Sequence, residues 1–203
     1  MYAVVEDNQI TQFINYPKSI VIGDVRYPAK IFTMWSQSEK EAIGIYEIVT
    51  DSTNYKDPAY YINTNEQYTF ANNQVTKSWG TATPKRLEDE NAVDEDGNPV
   101  LENGVQVINY GLKTEKKKIV KQQASGLLAP TDWYVVKSTE VADYDVPANI
   151  LSFRADVRTK SNEMETAIDN CTTVDELKAL YEYTEQEDGT ITRPLPEFPK
   201  EVI

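Results

Sequence analysis

Apolar residues fall in short alternating runs over the first eighty positions and at helical spacing after residue 112. Tyr2-Ala-Val-Val5 and Gln9-Ile-Thr-Gln-Phe-Ile14 flank the turn-like Glu6-Asp-Asn8, which predicts an opening β-hairpin. Ser19-Ile-Val-Ile22 and Val25-Arg-Tyr27 flank Gly23-Asp24, another turn signal. Ser36 or Ser38 before Glu39-Lys-Glu41 offers an N-cap with acids in the first turn. A short helix over about Ser38–Ile43, ending near Gly44, follows from it. Ile45-Tyr-Glu-Ile-Val49 reads as a strand. Tyr68-Thr-Phe70 and Val75-Thr-Lys-Ser-Trp79 predict a second hairpin, with Asn72-Asn73 able to take positive φ at the turn.

The pattern changes over residues 81–112. Pro84, the acidic Glu88-Asp-Glu90, and the turn dipeptides Asp96-Gly97 and Asn103-Gly104 read as a hairpin arm or mobile linker. Beyond it, Lys113–Leu128 carries Ile119, Val120, Ala124, Leu127 and Leu128 at helical spacing, and Pro130 stops that helix. A polar spacer leads to Asp145-Val-Pro147, the start of a second helix reaching Asp169. Its residues Ile150, Val157 and Met164 are seven apart, which suits packing against a neighbouring helix. Thr173-Val-Asp-Glu176 is a capping-box pattern for a short third helix. Pro194, Pro196 and Pro199 make the tail extended. Its apolar residues Leu195, Phe198, Val202 and Ile203 are candidates to dock on another surface.

The fold class expected is therefore α+β. A β-rich domain spans 1–80, the acidic arm or linker 81–112, a helical domain 113–183 and an extended tail 184–203.

Composition narrows the chemistry. With a net charge of −13, the dominant field repels nucleic acid and anionic lipid, so neither is an expected partner. No apolar run approaches the roughly 18 residues of a membrane helix, and the N-terminus carries no signal-peptide pattern. A single cysteine, Cys171, excludes an intramolecular disulfide framework and fits synthesis in a reducing cytoplasm. With no histidine, the usual catalytic base and the commonest transition-metal ligand are both missing. No catalytic residue, cofactor or metal is expected.

Four clusters still invite a chemical reading. Asp94, Asp96 and Asn98 have the spacing of a calcium loop, but Pro99 stands where the loop needs Gly and Val105 where it needs Glu. A solvated turn is the expectation. The tyrosines Tyr46, Tyr55, Tyr60, Tyr61 and Tyr68 suit strand packing, with stacking on a glycan as the alternative. Lys116-Lys-Lys118 and Lys121 read as surface lysines rather than a phosphate contact. Acidic clusters such as Glu88-Asp-Glu90 and Glu185/Glu187/Asp188 read as solvated faces rather than a two-carboxylate catalytic pair.

The richest segment is Ala124-Ser-Gly-Leu-Leu-Ala-Pro-Thr-Asp-Trp133, followed by Pro147-Ala-Asn-Ile-Leu-Ser-Phe-Arg-Ala-Asp-Val-Arg158. It reads as a helix that stops, an anchored turn and a second helix. Trp133 is expected beneath that second helix near Phe153 or Val157, its indole N–H on a carbonyl. Arg154 and Arg158 share a helix face. They are expected to pair with Asp132 or Glu140, with contact to a partner chain as the alternative.

On Leu127-Leu-Ala-Pro-Thr-Asp-Trp133 and Phe153-Arg-Ala-Asp-Val-Arg158 the chain resembles the phage tail assembly chaperone-like domain, over about residues 115–170. Phe153 stands where Tyr or Trp is usual. The front half resembles the β-rich head of phage tail proteins in Met1-Tyr-Ala3 and Val25-Arg-Tyr-Pro28. The resemblance implies a structural or adaptor role in a bacteriophage tail, in the fibre or baseplate region. Two alternatives stand beside it, an assembly chaperone that leaves the particle and a carbohydrate-binding module for host recognition. It further implies other tail proteins as partners, homo-oligomerisation, and a place in the virion after synthesis in the host bacterial cytoplasm. Trp133, Arg154, Arg158, Leu195 and Phe198 are the candidate partner-binding residues.

Overall fold

The computed structural model describes residues 1–200. The chain divides into two compact units, Met1–Pro84 and Lys85–Ile203. The fold is α+β, with a curled sheet in the first unit and helices in the second.

The first unit is built on β1 (Tyr2–Glu6) and β2 (Gln9–Ile14), joined by Asp7 and Asn8, which both take positive φ. A hairpin follows from β3 (Ile20–Ile22) and β4 (Val25–Tyr27), then α1 (Ile31–Met34), α2 (Gln37–Glu41) and β5 (Ile45–Thr50). Ser36 caps α2 by a capping box with Glu39. After β6 (Tyr61–Ile62) come β7 (Gln67–Ala71), β8 (Gln74–Ser78) and β9 (Thr83–Pro84). The main sheet has the order β2-β1-β5-β8-β7, with β5 and β8 parallel and the other pairs antiparallel.

Thr11 is an extra residue in β2, since Val4 pairs with Gln12 while Val5 pairs with Ile10. Such a bulge increases strand twist. The sheet curls until Phe13 of β2 meets Tyr68 of β7, ring centroids 4.6 Å apart. Strand alternation then assigns two cores. Ala3, Val5 and Val75 lie on the concave face with Ile10, Tyr46, Ile48 and Phe70. Val4, Ile14 and Ile45 lie on the other face, covered by Ile20 of β3 and by Ile31 and Phe32 of α1. Gly44, at φ +81°, lets the chain enter β5 so closely that a Cβ there would sit 2.5 Å from the Val5 carbonyl oxygen.

The second unit opens with the acidic segment. β10 (Glu90–Asn91) pairs with β13 (Ile108–Asn109), and β11 (Leu101–Glu102) with β12 (Val105–Gln106). Ala92 is buried, so the segment is folded into the helical unit rather than being a mobile linker. The reason lies at the start of α3 (Leu112–Leu128). Its N-cap is Gly111, which has no side chain to satisfy the orphan N–H groups. The Asp89 carboxylate accepts from Gly111 N at 2.7 Å and from the Thr114 hydroxyl at 3.0 Å. The Arg86 and Leu87 carbonyls take the N–H groups of Leu112 and Lys113. A Cβ on Gly111 would sit 2.4 Å from the Glu88 backbone.

Residues Ala129–Thr131 form a 3-10 turn, followed by α4 (Asp132–Glu140), α5 (Ala148–Asp169) and α6 (Val174–Ala179). Thr173 and Glu176 make the expected capping box. α3 and α5 run antiparallel, as the pairs Lys117–Asp169 (2.6 Å) and Lys121–Glu165 (3.2 Å) show. Their core holds Val120, Ala124, Phe153, Val157, Met164 and Ile168. The tail makes a hairpin of β14 (Thr184–Glu185) and β15 (Ile191–Thr192) before its proline-rich end. Among the described residues, no helix is long and apolar enough to cross a membrane.

Candidate functional site

The helix ending at Leu128 does not stop hard. Pro130 is accommodated in the 3-10 turn, where its missing N–H costs no α-helical bond, and α4 follows directly. The nine residues of α4 lie in what reads from the sequence as a turn and polar spacer.

Arg154 of α5 fastens this corner. Its Nη1 donates to the Leu128 carbonyl at 3.1 Å, the Thr131 hydroxyl at 2.6 Å and the Asp132 carboxylate at 2.8 Å. The Thr131 hydroxyl in turn donates to the Leu128 carbonyl at 2.7 Å. Arg154 is 8% exposed, and its charge is matched inside the fold. Asp132 also sits in the first turn of α4, where the helix dipole favours an anion. Of the two acids offered as partners for Arg154, the structure selects Asp132. Arg158 is exposed, and its Nη1 donates to the Arg154 carbonyl at 3.2 Å.

The expectation for Trp133 is corrected. It is 51% exposed and lies against Tyr134, centroids 4.1 Å apart, instead of beneath α5. Leu127, Leu128 and Phe198 pack against the Ala124–Phe153–Val157 cluster in its place. Lys137 reaches over the outward Trp133 ring at 5.4 Å and over Tyr144 at 4.1 Å. No residue of α4 is buried. Val136 and Val141 are also exposed, so the corner presents an apolar surface to solvent.

Leu195 and Phe198 are corrected as well. Leu195 is 2% exposed, with its N–H on the Leu180 carbonyl at 3.0 Å. Phe198 packs on the Ala124–Phe153–Val157 cluster. The tail therefore docks on its own helical unit, where its apolar side chains bury surface already present in the chain. Val202 and Ile203 lie outside the described residues.

The remaining clusters are used internally. Asp94 Oδ1 accepts the N–H groups of Asn98 (2.8 Å) and Asp96 (3.0 Å), which closes a turn, and the Asn98 bonds above all hold its carboxyl below the usual carboxylate range. Among the described residues no group of three or more Asp, Glu or Cys is gathered to hold a metal ion. Tyr60 and Tyr61 are buried, Tyr46 packs on Phe70 and Tyr68 on Phe13. Tyr55 packs against Trp79, centroids 4.7 Å apart. Lys117 and Lys121 pair with α5, and the Asp169 carboxylate raises the Lys117 pKa. The Cys171 thiol is buried near the Ala167 carbonyl, and burial pushes its pKa up, away from thiolate chemistry.

Three contributors carry little signal in the sequence. Val136 and Val141 belong to a segment read as a spacer, although Trp133-Tyr-Val-Val136 is a continuous apolar run that argues for a regular element. Asp89 reads as part of a solvated acidic cluster, and only the glycine before Leu112 hints that a helix start there needs a cap from elsewhere. Compared with protein-family models, curated proteins and solved structures, the chain finds no significant match in any of the three.

Proposed function

We propose that this chain is a non-enzymatic assembly protein, a structural or adaptor component of a bacteriophage tail in the fibre or baseplate region. The observation that carries the assembly role is α4, a helix without a buried residue, fixed at its base by Arg154 and presenting Trp133 and Val136. A nine-residue helix in water is marginal alone, and its exposed apolar side chains are stabilised when a partner covers them. The tail setting comes from the resemblance over residues 115–170, whose Thr131-Asp132-Trp133 and Arg154 form this corner.

A chaperone that leaves before the particle is complete would use the same surface, and the exposed Trp133 suits a releasable contact equally well. Quantitative mass spectrometry of purified particles separates the two. Stoichiometric presence supports a retained component. Presence during assembly and absence from finished particles supports the chaperone, and absence at both stages removes the tail reading.

A further inference from the structure

We infer that α4 docks against an amphipathic helix of a different protein, one whose apolar stripe is flanked by lysine or arginine. This names the partner class of the surface described above and rests on the assembly reading.

Three observations favour that occupant. The first is charge. Residues 131–147 carry four acids, Asp132, Glu140, Asp143 and Asp145, against one base, Lys137. Asp132 is matched by Arg154 and Lys137 lies over two aromatic rings, so Glu140, Asp143 and Asp145 set the field at the exposed end. Basic flanks on the partner complement it.

The second is the cost of the alternative. A second copy brings the same acids and a net charge of −13 to the contact. In a two-fold contact the same patch meets itself, so a surface of one sign of charge meets a surface of the same sign.

The third is area. Trp133, Val135 and Val136 of α4 and Val141 just beyond it are the exposed apolar side chains here. They offer on the order of a few hundred Å² of apolar surface, against about 800 Å² per partner in a standard protein interface. Trp133 and Val136 are three apart and share one face of α4, a narrow strip that matches one helix packed ridge into groove better than a broad flat face.

Isothermal titration of the full chain at physiological salt tests this. The probes are a Leu–Lys peptide with leucines at helical spacing and a Leu–Glu peptide of the same length. The expected result is binding of Leu–Lys alone, weakened by about tenfold or more in Trp133→Ser and Val136→Asp. The same affinity should persist in Met34→Asp, a control at a more exposed apolar side chain in the other unit. Val136→Asp adds a negative charge, so purely electrostatic attraction would strengthen Leu–Lys binding. Circular dichroism of each variant confirms that it is folded.

Unchanged or tighter Leu–Lys binding in Val136→Asp overturns the inference, as does equal binding of Leu–Glu. Self-association in sedimentation that Trp133→Ser abolishes also overturns it, because the second copy is then the occupant. None of these readouts depends on finding the chain in a particle, so loss of the tail reading and loss of this inference remain distinguishable.

Discussion

Arg154 Nη1 lies 2.8 Å from Asp132 Oδ1, a contact that joins the second turn of α5 to the first residue of α4 across 22 positions of sequence. Because the same nitrogen also serves Leu128 and Thr131, its removal leaves several polar groups at the corner without their donor. Arg154→Met is expected to cost about 2–4 kcal/mol, dominated by those lost partners. Asp132→Asn should cost only about 0.5–1 kcal/mol, since the Asp132 side chain is 59% exposed and water replaces the pair. Urea denaturation of both variants checks the ranking.

Trp133 and Leu195 make a matched test of burial. Leu195→Ala removes a fully packed side chain and should destabilise by about 2–5 kcal/mol. Trp133→Ser removes a much larger but outward side chain and should stay within about 1 kcal/mol of the parent. Melting temperatures of the two variants would contradict the structure if Trp133→Ser proved the more damaging.

Backbone proximity makes a third prediction. Gly111→Ala places a Cβ 2.4 Å from the Glu88 backbone, at the point where Arg86–Asp89 caps α3. Neither backbone can yield without breaking those hydrogen bonds, so a loss of about 1–3 kcal/mol is expected. Hydrogen exchange should quicken in the first turn of α3 and in residues 86–91 together. A change confined to Gly111 would argue against the cap.

Acid should loosen the C-terminal end of the helical unit through Glu176. The Thr172 N–H and hydroxyl hold its carboxyl below the ordinary value of 4.5. A folded-state pKa lowered in this way stabilises the fold fully above the unfolded value. That contribution disappears as pH falls through the lower folded value. In a series of urea midpoints from pH 7 to 3, Glu176→Gln should show a shallower decline than the parent. Parallel curves would remove Glu176 as a contributor.

What the sequence made legible was local. Asp7-Asn8 and Asn72-Asn73 all adopt positive φ because a tight hairpin turn demands it of residues that tolerate it. The pairs Ser36/Glu39 and Thr173/Glu176 close capping boxes within four residues. The periodicity of Ile150, Val157 and Met164 marked the buried face of α5. What failed depended on tertiary context. Asp89 caps a helix that begins 23 positions later in the chain. The parallel pairing of β5 with β8 cannot be read from either strand. Trp133 carries the same apolar character inside or outside, and it is exposed because it lies on α4, a helix with no buried residue.

Photocrosslinking from position 136, in particles assembled with Val136 replaced by p-benzoylphenylalanine, tests the central claim most directly. The predicted result is a crosslink from α4 to a basic helical segment of another tail protein, with none from the same probe at Met34. Crosslinks of equal yield from both positions, or only to a second copy of this chain, would contradict the account.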